Sequence, residues 1–298
     1  MERAQARSAV HLPELGLVYP CDALAMQAAA AITQDGVARP VLIGPVYEMQ
    51  RAAISAGVNL SDYECVYTDV NEPAVAAAEA VRWVREGRLA ALMKGSLHTD
   101  ELMSAVVNRD HGLRTDRRIS HAFIFDLPRY HKLLALADCV VNIAPNLQTK
   151  RDVLGNGVAL LQSLGIAEPK VAIVCAVESV NPAIQATLDA QALVNLSKTG
   201  AWHGALVEGP FGFDNAFSSE AARIKGMHSD IAGEADLMLM PDLNAGNMLY
   251  KSFVYAGGGE CAGLVLGAKV PIVLTSRSDS LLARTASVAL ATLSSGLH

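Results

Sequence analysis

Aromatic residues make up only 5% of this chain and charged residues 18%. So few aromatics disfavour a β-sandwich core, which relies on bulky inward-facing side chains. The formal net charge of −6 excludes a broad basic face, so nucleic acid is not expected as a partner. No apolar run approaches the roughly 18 residues a membrane span needs, so no membrane insertion is expected. Met1 to Val10 carries charges and no apolar h-region, so no secretory signal is expected there. The five cysteines, Cys21, Cys65, Cys139, Cys175 and Cys261, form no C-x-x-C pair and are odd in number. They read as free thiols of a reducing cytoplasm.

Several motifs are missing too. There is no Walker A loop and no G-x-S-x-G elbow, which argues against a P-loop nucleotide site and an α/β-hydrolase. The eight histidines lie too far apart for helical metal-ligand spacing, so no metal is expected. Gly257, Gly258 and Gly259 begin a match to G-x-G-x-x-A. They follow a helix-like segment rather than a strand, so they read as a turn and not as a dinucleotide fingerprint.

What the chain does have is apolar content, 51% of its 298 residues, in a βαβ rhythm. Strands are expected at 15–19, 41–44, 89–93, 138–145, 171–177, 205–207, 237–240 and 272–274. Asp22 is placed to cap a helix reaching Gln34, and Pro73 fits a first helical turn. Leu154, Val158 and Leu161 mark one helix face, and Leu281, Thr285, Val288 and Thr292 mark another. The expected fold class is α/β, with two domains of parallel-sheet α/β layers. The first domain is expected to comprise residues 1–137 plus 277–298, and the second residues 138–276.

The candidate chemistry lies where these strands end, since parallel α/β sheets bind ligands beyond strand carboxyl ends. Pro271 to Leu274 runs into Ser276, Arg277 and Asp279. A guanidinium binds phosphate through a bidentate, charge-assisted pair. A carboxylate can take a proton, and Asp279 reads equally as the cap of the last helix. Lys94 and Ser96 end the 89–93 strand, with His98 and Thr99 just beyond.

Five segments carry a family resemblance: 94–99 (KGSLHT), 207–216 (VEGPFGFDNA), 225–236 (KGMHSDIAGEAD), 241–251 (PDLNAGNMLYK) and 267–279 (GAKVPIVLTSRSD). With 169–172 (PKVA), they resemble the phosphate acetyl/butyryltransferase family, its butyryl branch in particular. The resemblance implies an isocitrate/isopropylmalate dehydrogenase-like arrangement with an active-site cleft between the two domains, the second, 138–276, forming the coenzyme A side, and a homodimer or higher homo-oligomer in the cytoplasm. It implies reversible transfer of a short acyl group, acetyl or butyryl, between coenzyme A and inorganic phosphate, with acyl phosphate as the other reactant. Coenzyme A is then a substrate, and no cofactor is permanently bound.

On this reading Ser276, Arg277 and Asp279 are catalytic, and Lys94, Ser96, Thr99, Asn247, Lys251 and Asp214 contact substrate. Gly257 to Gly259 allow the coenzyme close to the backbone. The chain departs from the acetyl branch at two places. Ala283 stands where that branch has its aspartate, leaving Asp279 as the nearest carboxylate. Residues 100–107 hold no arginine, so Arg109, Arg114 or Lys94 would substitute. The chemistry asks for a thiolate, and a free thiol near pKa ~8.5 falls short at neutral pH by about 2 kcal/mol. Two other readings are a coenzyme A-binding module without turnover and a metal- and nicotinamide-dependent decarboxylating dehydrogenase of similar fold.

Overall fold

The computed structural model describes residues 1–8, 12–276 and 279–295. It separates into two compact units, Met1–Arg117 with Ala262–His298, and Arg118–Cys261. Residues 118–137 carry two strands paired with each other, one of which joins the second unit's sheet, and residues 272–273 pair into the sheet of the first.

The first unit starts with helix α1 (Glu2–Ser8) and alternates from there. Strand β1 (Glu14–Val18) leads to α2 (Ala23–Gln34), β2 (Arg39–Pro45), α3 (Val46–Ala56), β3 (Glu64–Thr68), α4 (Pro73–Arg85), β4 (Ala91–Lys94) and α5 (Thr99–Val106). The expected signals operate locally. Asp22 Oδ1 accepts the Ala25 N–H at 2.8 Å, Gly36 leaves α2 at φ +62, and Pro73 opens α4. All four strands are parallel, in the order β3-β2-β1-β4. Their register sets Leu17 between Leu42 and Met93, all three fully buried. The chain steps outward from β1 to β3, then crosses back to β4 on the other side of β1. That reversal makes the carboxyl ends of β1 and β4 a topological switch point.

The second unit contains β5 (Ser120–Asp126), β6 (Leu134–Ala137), α6 (Leu147–Ser163), β7 (Lys170–Val174), α7 (Gln185–Lys198), β8 (Leu206–Phe211), α8 (Phe213–Phe217), α9 (Ser219–Ile224), β9 (Leu237–Leu239) and α10 (Leu243–Tyr255). Its strand order is β5-β6-β9-β7-β8, parallel except for the β5–β6 pair. Most of the few aromatics collect here. Phe125, Phe213, Phe217 and Phe253 form a chain of ring contacts, and Phe123 stacks on Tyr250 at 4.3 Å. The strand expected at 138–145 is not one; β6 stops at Ala137. Asp138 ends it, because its carboxylate accepts the N–H groups of Val140, Val141 and Asn142. That turns the backbone away from a ladder, as Asp side chains do when they compete for local amides.

The chain then returns through β10 (Glu260–Leu266), β11 (Ile272–Val273) and α11 (Leu281–Ser294). Strand β11 pairs parallel with β4 and antiparallel with β10, so the first sheet reads β3-β2-β1-β4-β11-β10. Helix α11 packs against α2, and its buried Thr292 hydroxyl donates to Val37 O at 2.9 Å. Among the described residues no helix is long and apolar enough to cross a membrane.

One buried ion pair ties the helices of the second unit. Lys150 Nζ on α6 meets Asp189 Oδ2 on α7 at 2.6 Å, with both side chains under 10% exposed. Removing one partner strands the other charge, whereas removing both does not. Lys150→Met should therefore cost about 3–5 kcal/mol of unfolding free energy, and Lys150→Met with Asp189→Leu much less. Urea denaturation of the single and double variants measures the difference.

Candidate functional site

Two parallel strand ends carry the polar residues that the sequence singles out in the first unit. Lys94 closes β4 with its side chain buried, and Nζ donates to Gly95 O at 3.3 Å and to Leu97 O at 3.1 Å. Gly95 follows because nothing larger fits. A Cβ there would lie 2.5 Å from Val18 O and 2.6 Å from Tyr19 O, both backbone atoms at the end of β1. Ser96 ties that end down. Its hydroxyl donates to Tyr19 O at 2.7 Å and accepts the Cys21 N–H at 2.9 Å. Tyr19 itself turns at φ +56, a left-handed conformation that costs a non-glycine residue energy and needs such support. Ser96 is therefore first a staple between the two strand ends. Thr99 is exposed at the start of α5, where Glu101 accepts the His98 N–H at 2.7 Å.

The neighbouring end belongs to β11. Thr275 is buried and its hydroxyl donates to Lys94 O at 3.2 Å. The turn after it closes on itself: Ser276 N–H donates to Asp279 Oδ2 at 2.6 Å, and Asp279 N–H to Ser276 O at 3.3 Å. Asp279 does not cap α11. Ser280 does, accepting the Ala283 N–H at 3.1 Å. A serine hydroxyl one residue closer to the helix took the cap, leaving the aspartate to shape the turn and expose a carboxylate edge. Arg277, the expected phosphate ligand, lies outside the described residues.

Arg284 escaped the reading of the sequence. It sits one turn into α11, only 4% exposed, and reaches back under the turn to Thr275, Ser276 and Asp279. A signal was there: Arg284 is the single charge in a helix that reads LLARTASVALATLS.

The remaining candidates belong to the second unit. Asn247 lies on α10, and its Nδ2 donates to Cys139 O at 3.2 Å. Gly246 beside it is required by close packing, since a Cβ would come 2.5 Å from Asp138 O. Lys251 is exposed on the same helix. Asp214, at the start of α8, pairs with Lys225 at 3.0 Å, and Lys225 also binds Glu178. These contacts hold Glu178 down to a pKa of about 2, mainly through the Lys225 hydrogen bond and then that of Asn215. Gly257, Gly258 and Gly259 form the turn from α10 to β10. Gly258 has φ +66 and open space, while Gly259 is buried against Leu127 and Phe253 O.

Burial silences four of the five thiols as nucleophiles. It pushes Cys21 up to about 12 and Cys175 up to about 11, and raises Cys65 and Cys139 as well. Such groups hold almost no thiolate at neutral pH. Among the described residues no three His, Cys, Asp or Glu side chains come together as a metal-holding group.

These observations define an α/β protein with mainly parallel sheets and a polar turn at a switch point. Comparison with known proteins is more specific. The chain belongs to the Phosphate acetyl/butaryl transferase family, whose sequence model matches residues 64–292. It is 44% identical over 293 residues to a phosphate acetyltransferase of Rhizobium meliloti, covering 98% of this chain and 92% of that protein. It is 38% identical over 273 residues to a phosphate butyryltransferase of Clostridium acetobutylicum, covering 91% of this chain and 89% of that one. Its structure is similar to that of a branched-chain phosphotransacylase from Enterococcus faecalis V583, with a TM-score of 0.84 at 27% identity. That match covers 96% of this chain and 100% of the other.

The contacts around Gly95 and Ser96 set an expectation for stability. Gly95→Ala forces the end of β1 to move, and overpacking of this kind costs typically about 1–3 kcal/mol. Ser96→Ala leaves the Cys21 N–H without its acceptor, at about 1–3 kcal/mol where buried. Chemical denaturation should place both below wild type, and a Gly95→Ala protein as stable as wild type would contradict the packing described.

Proposed function

We propose that this chain is a phosphate acyltransferase that moves a short acyl group, acetyl or butyryl, reversibly between coenzyme A and inorganic phosphate. Its similarity to relatives of both names along nearly the whole chain carries the reading.

The forward step needs the coenzyme A thiol to lose its proton and attack the carbonyl carbon of the acyl phosphate. A thioester bond forms, the carbon–oxygen bond to phosphate breaks, and inorganic phosphate leaves. We assign Asp279 as proton acceptor. Its Oδ2 is engaged by the Ser276 N–H, while Oδ1 accepts nothing from the described residues. A positioned base contributes roughly 10²–10⁴ in rate. Arg277 holds the phosphate through its guanidinium fork, and the exposed Ser276 hydroxyl orients the sulfur or the phosphate. Lys94, Ser96 and Thr99 border the same switch point. Since Lys94 and Ser96 already serve the strand ends, their contribution is to hold the site's shape.

Asn247, Lys251, Asp214 and the Gly257–Gly259 turn of the second unit are assigned to coenzyme A on the strength of the resemblance. The division at 137/138 and 276/277, the isocitrate/isopropylmalate dehydrogenase-like arrangement with its inter-domain cleft, the homodimer and the cytoplasmic location belong to the same reading. No metal or resident cofactor takes part in the step as written, because only an acyl group is transferred.

Purified protein mixed with coenzyme A and acetyl or butyryl phosphate should form thioester, followed by its ultraviolet absorbance. If no short acyl phosphate gives thioester, the assignment is wrong. Within an active enzyme, Arg277→Ala should raise the KM for phosphate or lower kcat by about ten- to a hundredfold, the worth of a charged hydrogen-bond pair. Arg3→Ala on α1 should change neither, and equal effects of the two would remove Arg277 from the site.

A further inference from the structure

The buried guanidinium of Arg284 has an unusual set of partners. Nη1 donates to Thr275 Oγ1 at 3.0 Å, Nη2 to Ser276 O at 2.5 Å and Nε to Asp279 O at 3.4 Å. Every acceptor is neutral. Among the described residues no carboxylate comes within ion-pair distance of it. Asp279 and Asp22 act on it only from further off, partly offsetting the burial that draws its pKa below the ordinary arginine value. Removing such a cation from water without a paired anion is expensive. Lys150, also buried, has its aspartate. Arg284 does not, and its three bonds fan across the turn that follows β11. The same Thr275 hydroxyl passes on to Lys94 O, so the guanidinium is hydrogen-bonded through one side chain to the end of β4.

We propose that Arg284 is the positioning residue of the 275–279 turn, and that its unpaired buried charge gives the turn its preference for an anion of the phosphate class. This inference rests on the assignment of that turn as the phosphate side of the reaction. Two consequences follow from the geometry. The fork fixes the directions of the Ser276 and Asp279 carbonyls. The charge sits beneath the turn, so an anion held above it supplies the counter-ion that the fold omits. Arg284 need not touch the anion, since Coulomb attraction from a guanidinium only 4% exposed reaches further than a hydrogen bond.

Arg284→Gln and Arg284→Lys in the full chain test this with three readouts. The first is calorimetric binding of inorganic phosphate, the second the KM values for phosphate and for coenzyme A, and the third amide hydrogen exchange over 275–280. Arg284→Gln should weaken phosphate about tenfold or more, the scale of a lost charge-assisted interaction. It should speed exchange in the turn while β4 and the rest of α11 stay protected, and leave the KM for coenzyme A within about twofold of wild type, inside the range of an uncoupled site.

Arg284→Lys keeps the charge and loses the fork. It should recover most of the phosphate affinity but not the slow exchange of the turn, and it decides the matter alone if Arg284→Gln does not fold. The inference is overturned by wild-type protein that binds no phosphate, or by Arg284→Gln with unchanged phosphate affinity. It is equally overturned by loss of phosphate and coenzyme A affinity together with protection throughout α11, which would mark a merely structural residue. Phosphate binding that depends on Arg284 in a protein that makes no thioester would sink the acyl-transfer assignment and leave the inference standing.

Discussion

The site of the first unit depends on one hydrogen bond between residues 181 positions apart, from the Thr275 hydroxyl to Lys94 O. It closes the end of the parallel β4–β11 pair, which otherwise consists of only two register partners, Leu92 with Ile272 and Met93 with Val273. So short a strand has little pairing energy of its own. Its place comes from burial, since Ile272 and Val273 are fully enclosed, and from the side-chain bonds that Thr275 makes at its exit. The consequence is positional. A segment from the end of the chain is brought to the β1/β4 switch point, where the parallel sheet leaves strand ends unpaired and available.

Close approach does the rest. Gly95 lets β4 exit within contact of the β1 end, and Ser96 fastens it to Tyr19 and Cys21. The two strand ends and the β11 turn thus share a backbone framework in which few atoms can move separately. This matches what acyl transfer from a phosphate requires: most of the achievable rate comes from fixed orientation of the reacting groups. The same framework keeps the Cys21 sulfur out of the chemistry. Cys21 sits beside the Ser96 staple, and its thiol is desolvated to a pKa of about 12.

The sequence was most readable where local signals suffice. Asp22 capping α2, Pro73 opening α4 and the apolar run Val171 to Val174 of β7 each depend on residues a turn or less apart. It was less readable where partners lie far along the chain. Asp138 was taken as the start of a strand because its neighbours are apolar. Its carboxylate captures three successive amides instead, a competition that a hydropathy pattern does not register. Asp279 was weighed as a helix cap, but Ser280 is a second residue with the same ability, and only geometry decides between them. The family resemblance makes Ser96 and Asn247 substrate contacts. In the fold both bind backbone from segments 75 or more positions away, at Cys21 and Cys139. Arg284 was passed over because charges on helices are usually solvated. The surrounding Thr285, Val288 and Thr292 stripe, however, had already marked that side of α11 as interior.

The contrast between Lys150 and Arg284 separates a buried charge neutralised by a carboxylate from one held only by neutral acceptors. Lys150 and Asp189 neutralise each other in place, so their pair is complete without a ligand and its field is short-ranged. Arg284 is satisfied in hydrogen bonds and unsatisfied in charge. Its three acceptors remove the cost of unmade donors, which is the larger penalty for a buried polar group, but they leave a net positive centre in a poorly solvated place. A fold that keeps such a centre gives up stability in the free state and regains it when an anion binds, because any ligand that favours the native form adds its binding energy to folding. On the proposed assignment, that charge lies beside Ser276 and Asp279, on the side given to the departing phosphate. Charge and backbone geometry at this turn then have a single origin in one side chain.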